Sequence, residues 1–220
     1  MPKIIRLAVL FLLTCAGWAQ VVADPSHSRP VPVWQPPTLQ LPDGLLRATI
    51  PKPMAGSLIV GKIPIILEET KLADAQKLLG GTFGHRGDAG DALEWLCFYG
   101  DDVDGRWVLW LESDEVGSGM VNGFALQRIG GNAKVDRRCR MLRKDNGEVE
   151  LPVSLRLGMT QMQVHRALGE ASLKYRNILI FDHEHAETIH KEPYTVSNTV
   201  YIVLRKGAAW SIQVWKITVS

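Results

Sequence analysis

Neither sign of charge prevails in this sequence: 25 Lys and Arg stand against 23 Asp and Glu, a formal net charge of +2. Lys3 and Arg6 lie in a segment expected to be removed, which leaves a neutral mature chain and argues against nucleic acid as its main partner. Signatures of chemistry are missing as well. There is no nucleophile elbow, no glycine-rich phosphate loop and no EF-hand spacing, and His85 and His165 fall in no readable triad. The acids Asp101, Asp102, Asp104, Glu112, Asp114 and Glu115 flank expected hairpin turns, where a solvated face is commoner than paired catalytic carboxylates or calcium ligands. The one long apolar run, Leu7 to Ala19, is too short for a membrane span. These absences exclude no fold, because 46% hydrophobic residues in 220 suffice for a substantial core.

What is present begins with a short basic start and that apolar run, the layout of a secretory signal over residues 1–23, with cleavage after Ala19 or Ala23. A lipoprotein signal with Cys15 as the lipidated residue is the rival, but Thr14 precedes it where Gly, Ala or Ser is usual. Of three cysteines, removal of Cys15 leaves Cys97 and Cys139. In an oxidising compartment an even pair is expected to bridge, although two separately buried thiols are the alternative. The chain is therefore read as periplasmic or secreted.

Residues 24–55 read as a proline-rich tether: eight of the twelve prolines fall there, and such a segment keeps neither a helix nor a central strand. Trp34 within it is read as an incidental aromatic, with docking on a partner or on the protein's own body as the alternatives. Beyond it, Ile63 to Gly81 and Leu151 to Gly169 match: both open apolar-Pro-apolar, place a leucine two residues on at Leu67 and Leu155, and close on Leu-Gly. The first contains a helix from Thr70 with Leu72, Ala75, Leu78 and Leu79 at helical spacing; the second has Thr160 as N-cap with Met162, Val164, Ala167 and Leu168 as its stripe. Strand-like runs follow each: Leu93 to Tyr99, Arg106 to Ser113 and Met120 to Arg128, then Asn177 to Phe181, Ser197 to Arg205 and Trp210 to Thr218. Thr82 to Asp91 reads as loop. The expectation is an α+β fold of two helix-plus-three-strand antiparallel units in tandem, 56–133 and 151–220, joined by a basic loop at 134–150.

The string Leu157-Gly158-Met159-Thr160, with Val164 and Leu168-Gly169, resembles the helix signature of the small lipoprotein subunit of the outer-membrane barrel-assembly machine. As a tandem pair the units resemble the beta-lactamase inhibitory protein fold. In the first unit Glu69-Thr70-Lys71 stands where Gly-Met-Thr would. The resemblance implies a binding protein of the bacterial envelope and carries no binding residue over to this chain.

Two polar clusters compete with that reading. Asp182-His183-Glu184-His185, with Glu187 and His190, gathers imidazoles and carboxylates; in an extended segment His183 and His185 share a face and could bind zinc or copper with His190. The spacing matches no established zinc signature, and a hydrated loop is the plainer reading, so no metal or other cofactor is assigned. Lys134, Arg137, Arg138, Arg140, Arg143 and Lys144 form a basic cluster suited to anionic lipid or an acidic surface, or simply a solvated connection.

The aromatics favour a protein partner. Alternation puts Trp107, Leu109 and Leu111 on one face of a strand and Val108 and Trp110 on the other, so both faces are apolar and the surplus needs a cover. Trp95, Tyr99, Tyr201, Trp210 and Trp215 add strand aromatics, and burial of all of them by the two units against each other or under the proline-rich arm is the equal alternative to a partner. The expected function is a non-enzymatic protein-binding module of inhibitor, toxin-neutralising or assembly type, with Trp107, Trp110, Trp95, Tyr99, Tyr201 and Trp215 as its contacts. The alternative is a metal-binding protein or metalloenzyme centred on 182–190.

Overall fold

The computed structural model describes residues 32–42, 49–50, 56–88, 90–142, 148–189 and 191–220. The elements follow in the order β1 (Ser57–Val60), β2 (Ile63–Ile66), α1 (Leu72–Leu79), β3 (Phe83–Arg86), β4 (Leu93–Asp102), β5 (Gly105–Asp114) and β6 (Gly123–Arg128). They continue with β7 (Arg140–Met141), β8 (Val149–Glu150), α2 (Gln161–Leu168), β9 (Leu173–Tyr175), β10 (Ile178–Ile189), β11 (Glu192–Arg205) and β12 (Ala208–Val219). One sheet of nine strands runs β3-β4-β5-β6-β12-β11-β10-β9, with β7 parallel to β4 beyond the end of β3. A second, of three strands, has the order β2-β1-β8.

This corrects the expected α+β architecture. The protein is mostly β, and its helices are only eight residues each. The strands expected to belong to two units lie in one sheet, because β6 pairs directly with β12 from Gly123↔Trp215 to Gln127↔Ser211. Strand content exceeds expectation where polar residues were read as loop. Phe83–Arg86 pairs with β4, and β10 and β11 keep an unbroken register from Ile178↔Val203 to Ile189↔Glu192, straight through the histidine segment. Backbone pairing needs no apolar side chains, so a hairpin already nucleated by Ile178 to Phe181 extends into solvent on polar sequence.

Helices this short are marginal alone, and their first turns are fastened to hairpin turns of the large sheet. The Leu72 amide donates to the Gly119 carbonyl (2.9 Å), and the Gln161 amide to that of Gly207 (3.3 Å). Helix α1 starts one residue later than expected, with Lys71 at the N-cap, because the Thr70 hydroxyl is spent accepting from the Ile66 amide (2.9 Å). It buries Leu72, Ala75 and Leu79 but leaves Leu78 exposed. Thr160 caps α2 as expected, in a capping box with Gln163. Thr160→Ala is expected to cost about 1 kcal/mol, read as a lowered urea midpoint at unchanged slope; no shift would mean the hairpin bonds alone hold the turn.

The core forms on both sides of the large sheet. The helices and the three-stranded sheet cover one side, where Leu96, Phe98, Trp107, Leu109, Phe124 and Val214 join a cluster with Leu58, Ile65, Leu72 and Val164. On the opposite side Trp95, Cys97, Val108, Trp110 and Ala125 form a second cluster with Trp34, Ile129 and Cys139. Alternation along β5 thus divides its residues as expected, and both faces find a cover within the chain.

Candidate binding surface

Over β4 to β6 the side opposite the helices is closed by the protein's own chain. Val33 bridges to Val135, its amide donating to the Lys134 carbonyl (2.8 Å). Trp34 is buried: its ring lies 5.7 Å from that of Trp95, its carbonyl accepts from Trp110 Nε1 (2.9 Å), and the Arg138 guanidinium stacks on it at 4.3 Å. The aromatic read as incidental is a docked one. A disulfide between Cys97 and Cys139 pins the covering segment to β4, as the cysteine count implied.

These contacts relocate the expected binding residues. Trp95, Trp107 and Trp110 are 0%, 5% and 1% exposed and serve as core, so they present no surface. Tyr99 is half-buried beneath Arg106, which lies 5.8 Å from its ring. The remaining two, Tyr201 and Trp215, are half-buried on β11 and β12. They point to the side opposite the helices, since the intervening Ile202 and Val214 belong to the helix-side cluster. Register fills in their neighbours: Trp215 faces Gly123 on β6 and Thr199 on β11, and Tyr201 faces Gln213 and Ile180. Gly123 is required here, because a Cβ on it would come 2.6 Å from the Trp215 indole.

Sequence reading missed the polar residues buried beside these aromatics. Ser211 and Gln213, on the same side of β12, are 2% and 5% exposed, and among the described residues Ser211 Oγ and Gln213 Nε2, like Trp95 Nε1 in the core, have no hydrogen-bond partner. Ile178 and Ile180, buried on the same side of β10, belong to neither hydrophobic cluster of the described residues. Glu112 was also missed as a buried acid, although its parity with Trp110 and Val108 was legible. It lies opposite Trp95 and Gly123 in register, and burial, opposed by Arg86 and reinforced by Asp114, pushes its carboxyl up to about 8.

The competing polar clusters resolve into local pairing. His183 and His185 do share a face, with ring centroids 5.1 Å apart, but His183 Nδ1 is 2.7 Å from the Ile50 carbonyl and His185 is 3.9 Å from Glu187. His190 lies outside the described residues, and among those described no group of three His, Cys, Asp or Glu side chains could hold a metal ion. His85 pairs across β3 and β4 with Glu94, and His165 Nδ1 lies 3.1 Å from the Gly169 carbonyl at the end of α2. In the basic cluster Arg138 binds Asp136 through Nε (2.9 Å) and holds that carboxyl down at about 2. Arg140 packs over Gly80, while Arg143 and Lys144 lie outside the described residues. The acids of the β4–β5 turn are taken by arginines, Asp101 by Arg106 (2.9 Å) and Asp102 by Arg128 (2.5 Å). Asp114 accepts from the Gly117 amide (2.9 Å) and from the Asn122 side chain (2.5 Å).

The segment read as a secretory signal, with Cys15, also lies outside the described residues, and among those described no helix is long and apolar enough to cross a membrane. No protein-family model matches the chain, and no curated protein sequence does. Among solved structures, a protein of Streptococcus mutans titled "putative beta-lactamase inhibitor protein" aligns over 68% of this chain and 82% of its own, at 12% identity and a TM-score of 0.22.

Proposed function

We propose that this is an exported, non-enzymatic binding protein of the bacterial envelope, and that it holds a protein partner on the side of β10 to β12 opposite the helices. The observation that carries this reading is the pair of half-buried aromatics Tyr201 and Trp215 on that side, with the buried polar side chains Ser211 and Gln213 beside them on β12. Tyrosine and tryptophan beside such groups supply rigid apolar area with little rotamer entropy to lose. The cystine supports export, since structural disulfides persist in oxidising compartments.

The test starts with capture from envelope extract by the exported form of the protein, followed by purification of what binds and titration to a defined stoichiometry. Tyr201→Ala with Trp215→Ala is expected to weaken a one-to-one complex by about thirtyfold, roughly 2 kcal/mol, whereas Leu78→Ala with Met162→Ala on the exposed helix faces leaves it unchanged. A partner that binds both variants equally, or one that never saturates, would remove this surface from consideration.

A further inference from the structure

The turns that close β9–β10 and β11–β12 lie side by side at one end of the large sheet. The Leu204 amide donates to the Asn177 carbonyl (2.7 Å), and Asn177 Nδ2 donates to the Leu204 carbonyl (2.9 Å). Arg176 and Arg205 flank this contact, Lys206 follows in the second turn, and Lys174 stands on β9 beside the first. All four side chains are exposed, and neither 173–178 nor 203–210 contains an acid.

Among the described residues none of the four has a carboxylate partner. Lys174 Nζ is 3.5 Å from Gln161 Oε1, and each guanidinium lies over a ring of its own hairpin, Arg176 5.2 Å from Tyr175 and Arg205 4.5 Å from Trp210. The acids at the same end of the sheet, on the β4–β5 turn, are answered by Arg106 and Arg128 instead. A chain with no net excess of charge thus gathers unopposed cations in one place. Backbone conformation marks two of them. Arg176 and Lys206 both have φ of 53°, in the left-handed region that glycine and asparagine adopt with least strain. Turn geometry alone favours those residues, so the cations answer to something outside the turn.

We infer that this end of the sheet rests on an anionic phospholipid surface, with Arg176, Arg205 and Lys206, and Lys174 beside them, among the headgroups. The half-buried rings of Tyr175 and Trp210 hold the guanidiniums from behind and present apolar edges at the boundary. A bilayer requires only exposed charge of one sign with aromatics near it, whereas a protein partner of like affinity requires buried anchors, and these side chains lie in solvent. The patch sits at the end of the sheet, not on the face assigned to a protein partner, and stands independently of that reading. Each cation near an anionic bilayer strengthens partitioning by about fivefold, and salt screens the effect.

Cosedimentation of the exported form of the protein with vesicles, of phosphatidylcholine alone or mixed with phosphatidylglycerol, tests the assignment. The mixed vesicles are expected to bind at least about tenfold more tightly at about 0.05 M salt, and the preference to vanish at about 0.5 M. Arg176→Asn with Lys206→Asn places in both turns a residue that tolerates the left-handed conformation, so the urea midpoint should not fall while binding to mixed vesicles weakens by about twenty-five-fold. Lys62→Gln with Lys71→Gln removes the same charge from exposed positions elsewhere and should leave binding unchanged. Equal binding to both vesicles, a double asparagine variant that binds as the native protein does, or a control pair that weakens binding as much would each overturn the assignment. So would capture by soluble polyglutamate with none by mixed vesicles, which would mark the patch as one for an acidic protein.

Discussion

Raising the pH from about 5 to about 9 is expected to remove stability on the order of 4 kcal/mol from the native protein, and Glu112→Gln to flatten that dependence. The Glu112 side chain is 4% exposed on β5, and burial is the main cause that lifts its carboxyl from 4.5 to about 8. Below the unfolded value both states hold the proton and the contribution is fully present. Between 4.5 and 8 the folded protein keeps a proton that the unfolded chain has shed, so each pH unit favours unfolding by about 1.4 kcal/mol. Above 8 the folded state must carry a buried carboxylate, and the loss is complete. Arg86 pulls the other way, but less strongly than burial pushes. Asp136, held at about 2 by Arg138, acts with the opposite sign and only in acid, so the two windows do not overlap. Urea unfolding at intervals across this range decides the matter: a wild-type midpoint that stays level, or a Glu112→Gln midpoint that falls just as steeply, would show that the carboxyl ionises without penalty.

Opening the Cys97–Cys139 bridge is the second large effect. The two residues are separated by 42 positions, and on the chain-entropy account the cross-link stabilises by about 4 kcal/mol, chiefly by restricting the unfolded chain. Its native position adds a consequence that loop entropy alone does not contain. Cys97 belongs to β4 and Cys139 to the segment over it, and Cys139 Sγ lies 3.5 Å from the Val33 carbonyl. The bridge therefore also fixes the ledge on which Val33 and Trp34 dock. Cys97→Ala with Cys139→Ala is expected to lower stability by about that amount and to speed amide exchange at Val33 and Asp136, whose amides donate to the Lys134 and Val33 carbonyls. Exchange in β11 and β12 should change no more than the global loss requires. A double variant as stable as the native chain, or one that loosens all strands alike, would assign the bridge no local role.

Much of the strand pattern was legible because short apolar runs bounded by turn residues leave few alternatives. Leu93 to Tyr99 and Arg106 to Ser113 fall within β4 and β5, and the alternation of Trp107 against Trp110 separates the two core clusters. The Thr160 cap was legible for the same local reason. The extension of β10 and β11 through Asp182 to Ile189 was not, since polar residues join a ladder only when a partner strand is already aligned beside them. Nor was the loss of Trp95, Trp107 and Trp110 from the surface. An indole on a strand reads the same whether solvent, a partner or the chain's own proline-rich segment covers it.

By itself, then, the sequence determined which residues alternate along β5, that Thr160 caps α2, and that two cysteines would meet, all consequences of chemistry within a few neighbours or of a count. Tertiary structure decided that the strands form one sheet rather than separate units, that Trp34 closes one side of it, and that Ser211, Gln213 and Glu112 lose their water. These are matters of which distant segment arrives to cover a given face. That choice is made by packing over the whole chain, and no local pattern records it.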